Sequence, residues 1–158
     1  NVDTLEADLV FIKNIDNVVP DRIKETTYQY KKVLGGVLLS FQERIFNYLE
    51  QLENTNEALE NTLTEIENFL QSELCIAFPT SYASLSNQEK TIYLVNKLNR
   101  PIKVCGMVKN EGEPGGGPFW TVNADKTVYL QIIDNNNNDL YLTASNEEVT
   151  ENPGPEWP

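Results

Sequence analysis

From Tyr30 to Leu52 the apolar residues Tyr30, Leu34, Val37, Phe41, Ile45, Tyr48 and Leu52 fall three or four apart. That spacing matches the helical repeat and places all seven on one face. It predicts a long helix over about 21–52, starting just after Pro20. Such a stripe must be covered by another element. The next segment offers one: Leu59, Leu63, Ile66 and Leu70 repeat at the same spacing, behind the capping phrase Asn54-Thr-Asn-Glu57. The second helix is expected from about Thr55 to Ser72, so that 21–72 forms a helical hairpin acting as a packing layer. Gly35 and Gly36 interrupt the first helix. Each costs about 1 kcal/mol relative to alanine, which points to a kink or a close approach there.

Strands are expected on both sides of the hairpin. Ala7-Asp-Leu-Val-Phe-Ile12 is nearly continuous in apolar residues, as in a parallel strand buried on both faces. Leu74–Phe78 reads as a short strand or buried turn ended by Pro79, and Ile102–Val108 as a further strand. Phe119–Val122 and Val128–Ile133 read as a pair joined by the turn Asn123–Lys126, and Leu140–Thr143 as one more strand. Ser86-Asn-Gln-Glu89 is a capping box. It opens a helix carrying Ile92, Leu94, Val95 and Leu98, which must stop before Pro101. These elements predict an α/β fold, with residues 1–145 as one domain and 146–158 as a loose acidic tail.

Net charge of −12 argues against free nucleic acid, whose phosphates require a clustered basic face. No apolar run approaches the length of a membrane span, and the start is not that of a signal peptide. A soluble, cytoplasmic protein without a membrane partner is the expectation. The first residue is Asn1 rather than Met, so further chain upstream is expected. With no histidine, His-based acid–base catalysis and a Ser-His-Asp triad are excluded, and zinc chemistry is not expected. Cys75 and Cys105 lie in apolar stretches and read as buried free thiols in strands, a disulfide or metal pair being the alternative.

Two loops hold the candidate chemistry. Lys13-Asn14-Ile15-Asp16-Asn17 follows the first predicted strand, and ligands in open α/β sheets sit beyond carboxyl ends of strands. Asp16 suits Mg²⁺ and Lys13 suits phosphate. The ordinary alternative is turn chemistry, with Asn and Asp bonding the backbone. The second loop, Lys109-Asn110-Glu111-Gly112-Glu113-Pro114-Gly115-Gly116-Gly117, frees three consecutive glycine amides to approach a ligand. Lys109, Asn110, Glu111 and Glu113 add charge and hydrogen-bonding groups, and Phe119 and Trp120 could stack on a ring. The alternative is a hairpin connection with both aromatics in the core. No Gly-Lys-Ser/Thr follows, so this is not a P-loop.

Two phrases, Leu9–Asp21 and Arg100–Trp120, resemble an uncharacterised bacterial domain-of-unknown-function family over about residues 7–134. That family in turn resembles the nucleotide-diphospho-sugar transferases, including UDP-sugar pyrophosphorylases. The resemblance implies a partial, Rossmann-like mixed sheet with the helical hairpin as an insertion. It makes Asp16 the metal residue, flanked by Asn14 and Asn17, and gives 113–117 a sugar-side role. Two departures stand out. The Gly-rich, Arg-ended loop that holds the nucleoside triphosphate is not in this chain, and Asp134 stands where a sugar-binding glutamate is usual.

The expected function is therefore that of a partial nucleotidyltransferase-like domain binding a sugar phosphate or nucleotide sugar with Mg²⁺. Asp16 would hold the metal, and Lys13 or Lys109 the phosphate. Asn14, Asn17, Asn110, Glu113, Gly115, Gly116 and Gly117 complete the expected binding set. No residue is assigned a catalytic role, because in-line phosphoryl chemistry rests on positioning and charge neutralisation. The missing half of such a site would be a partner segment of the same protein. The alternative is a non-catalytic structural or protein-interaction domain that uses the Tyr30–Leu52 face.

Overall fold

The structure, a computed structural model, describes residues 4–13, 18–54, 60–107, 117–133 and 148–149. Pro20 leads into a single 3-10 turn, Asp21–Ile23, which runs on into helix α1, Lys24–Asn54. Lys24 donates to Asp21 across this first turn. Helix α2 spans Glu60–Ser72 and α3 spans Asn87–Leu98. The short strand β1, Ile76–Ala77, and a 3-10 segment, Thr80–Ser84, lie between α2 and α3. Strands β2 (Gly117–Val122), β3 (Val128–Ile133) and β4 (Glu148–Val149) complete a sheet in the order β1-β3-β2-β4.

The helical hairpin forms as its apolar spacing requires. Tyr48 donates to Glu65, and Arg44 donates to Glu73. As α1 advances, its partners on the α2 side run backwards in sequence, so the two helices are antiparallel. Phe69 is the centre of their contact: its ring centroid lies 5.3 Å from that of Tyr48 and 6.1 Å from that of Phe41. The Arg44 guanidinium sits 4.3 Å over the same ring. Ile45, Tyr48 and Leu52 from α1 meet Leu63, Ile66, Phe69 and Leu70 from α2, with Tyr82, Leu94 and Leu98 closing the core. Phe69 was not among the expected inward residues, although it is adjacent to Leu70 on the same arc.

The Ser86 capping box is present: the Ser86 amide donates to Glu89 Oε2, and the Glu89 amide donates back to Ser86 Oγ. Along α3, Leu94 and Leu98 are buried as expected, but Ile92 is exposed and Tyr93 takes the inward place. The β2–β3 hairpin has the expected strands and turn, with Phe119 opposite Gln131 and Val122 opposite Val128. Lys126, at φ 65°, adopts the left-handed conformation that closes this turn.

Two predicted strands do not form, and the parallel arrangement goes with them. Within 7–13 and 102–107 the backbone is irregular, and Val10, Phe11, Ile12 and Met107 are exposed. Every described strand pairing is antiparallel. The described residues are thus mixed helix and small antiparallel sheet, and none of their strand pairings supports the expected Rossmann-like mixed sheet. An apolar run specifies a buried strand only if neighbouring strands pair with it. Here 7–13 instead lies against α1: a Cβ added at Gly35 would come within 3.3 Å of the Phe11 ring. Gly106 similarly packs on Leu34. The close approach expected at the diglycine is therefore seen at Gly35, whereas among the described residues nothing lies within 4 Å of a Cβ added at Gly36. The cap at 55–57 and the strand expected at Leu140–Thr143 fall outside the described residues.

Ile66 is fully buried at the hairpin core. Ile66→Ala is expected to cost about 2–5 kcal/mol by chemical denaturation, from lost burial plus the cavity left behind. A loss below ~1 kcal/mol would show that the helices do not pack as described. The diglycine provides a second measurement. Gly36→Ala should stabilise by about 1 kcal/mol from helix propensity alone. Gly35→Ala should gain less, because the Phe11 ring must move; equal gains would mean that Phe11 is not seated on α1.

Candidate functional site

Of the ten residues expected to bind metal or substrate, the described residues include Lys13 and Gly117. Lys13 is exposed at the end of the segment packed on α1. Gly117 opens β2 and pairs with Ile133 of β3, so it holds the end of the glycine loop to the sheet. Asn14, Asp16, Asn17, Lys109, Asn110, Glu113, Gly115 and Gly116 lie outside the described residues, as does Asp134. Among the described residues no group of three or more His, Cys, Asp or Glu could hold a metal ion. The first loop also loses its expected setting, since the described residues 4–13 before it form no strand. Both cysteines are free, as expected, but Cys105 is exposed and Cys75 is only half-buried, at φ 53°, just before β1.

The densest polar chemistry lies elsewhere, where α2, the Thr80–Ser84 segment, α3 and the β2–β3 turn meet. Tyr82 donates to Glu67 at 2.8 Å, and Lys90 pairs with the same carboxylate while lying over the Tyr82 ring. Phe78 stacks on Tyr82, and Tyr82 packs against Tyr93. The Tyr93 and Thr127 hydroxyls share a hydrogen bond of 2.7 Å. Lys97 lies over Tyr93 and donates to Asp125, which also accepts from the Thr127 amide. The Lys97 side chain is 8% exposed and that of Asp125 is 45% exposed.

Charge follows this packing. Burial pushes the Tyr82 hydroxyl well above its ordinary value, and the bond to Glu67 pushes it further. Burial also raises Tyr93, against the opposing bond to Thr127. For Asp125, burial acts upward, but the hydrogen bonds from Lys97 and Thr127 outweigh it and hold the carboxyl below its usual range. Among the described residues no buried side-chain polar atom lacks a partner. A cluster satisfied in this way is a joint: it fastens the β2–β3 turn to α3, and α3 to α2. Sequence reasoning missed it because Tyr82, Tyr93 and Thr127 follow no apolar repeat.

Among the described residues, α1 carries an exposed apolar surface. Tyr30, Val33 and Val37 are 68%, 60% and 39% exposed and share one helical face. Phe41, Arg44 and Tyr48 continue that line and are covered by Phe69. The difference is length. Helix α1 has 31 residues and α2 has 13, or about 46 Å against about 20 Å. The chain leaves α2 after Ser72, beside Arg44, and turns into β1. Tyr30 and Val37, expected inward, are therefore uncovered.

The family model described as Domain of unknown function (DUF4301) matches residues 1–152. No curated protein and no solved structure shows a significant match. Among the described residues no helix is long and apolar enough to cross a membrane.

The tyrosine joint sets the direction of alkaline sensitivity. Tyr82 and Tyr93 have folded-state values above the ordinary 10.0. The unfolded chain then ionises first, so their contribution is complete below that value and is lost as pH rises toward the folded-state values. Denaturation midpoints should fall once pH passes 10.0, and more shallowly in the Tyr82→Phe, Tyr93→Phe double variant. An unchanged slope in that variant would remove the tyrosines as the cause.

Proposed function

We propose that this chain, which belongs to the DUF4301 family, is a protein-interaction domain that seats a partner on the amino-terminal half of α1. The observation that carries the reading is the uncovered stripe of Tyr30, Val33 and Val37. It continues the line that α2 buries, and it stops being buried where α2 ends. Covering these side chains would contribute on the order of 1 kcal/mol each. Contiguous apolar surface beside a packed helical layer is a feature of interaction sites.

A photo-crosslinking residue at position 33 in the full chain, expressed in its native host, tests the reading. A discrete adduct is expected, and Val37→Lys should suppress it without lowering the thermal midpoint. The same probe at Ile92, exposed on α3, should give no adduct. Equal labelling at both positions, or a midpoint that drops with Val37→Lys, would overturn the assignment.

A second reading comes from the two sequence phrases. In it the chain is part of a bacterial, cytoplasmic nucleotidyltransferase-like domain of Rossmann-like descent. It binds a sugar phosphate or nucleotide sugar with Mg²⁺. Asp16 holds the metal, Lys13 or Lys109 the phosphate, and Glu113 with the 115–117 amides the sugar. The support is the residue chemistry of the loops: a carboxylate between asparagines, and three glycines beside Lys109 and Glu113. Thermal shift with UDP-sugars and sugar phosphates, with and without Mg²⁺, tests it. Stabilisation that needs Mg²⁺ and disappears in Asp16→Ala is expected; no response to any of these ligands would sink it.

A further inference from the structure

We draw no further inference here: the strongest candidate, the uncovered face of α1 at Tyr30, Val33 and Val37 with the exposed Phe11 of the segment packed on Gly35, carries nothing beyond the interaction reading above because nothing in the structure shows what covers it.

Discussion

The packing of Phe69 against α1 is the contact on which the rest of the structure depends. One ring meets Phe41, Tyr48 and the Arg44 guanidinium, and so joins a 31-residue helix to a 13-residue one. Helix α2 has no reason to persist alone, because helices of its length in water draw their stability from burying an apolar face. The polar groups at the rim are consistent with this seam. The hydrogen bond to Glu73 and the one shared with Tyr48 hold the Arg44 guanidinium further above its ordinary range, while Arg44 holds the Glu73 carboxyl down. The arginine carries its charge over an aromatic ring, an arrangement that suits guanidinium better than ammonium.

From this seam the fold extends by two kinds of joint. Leu94 and Leu98 of α3 enter the same apolar core as Ile66 and Leu70. The sheet is then attached through polar contacts, with Thr127 on Tyr93 and Asp125 on Lys97. Buried polar networks of this type are costly unless fully paired, and here each buried group has its partner. The result is a sheet whose hairpin turn is held in place by hydrogen-bond geometry as much as by apolar burial.

The elements that were legible in the amino-acid order are those specified by local physics. The helical spacing from Phe41 to Leu52, the Ser86–Glu89 box, the stop before Pro101 and the 123–126 turn all rest on residues near one another in the chain. The strands expected at 7–12 and 102–108 rested on apolar content alone. In the structure Phe11 lies at Gly35 and Gly106 at Leu34 of α1, while Val10, Ile12 and Met107 stay exposed. The tyrosine joint was not legible, because Glu67, Tyr82, Tyr93 and Thr127 come from four separate segments with no shared period. Of the candidate site, Lys13 and Gly117 have a described setting, exposed in one case and pinned to β3 in the other.

The sequence by itself determined that the chain would form an acidic helical hairpin followed by a capped helix and a β-hairpin. Periodicity, capping and turn residues act over a few positions, and their signal is complete within each segment. Only the tertiary structure decided which part of the α1 stripe is a core and which part is a surface. The same apolar spacing runs through Tyr30, Val37, Phe41 and Tyr48. Burial of this line against α2 ends where α2 ends, because coverage depends on the length and direction of a second element, and no pattern within α1 carries that information.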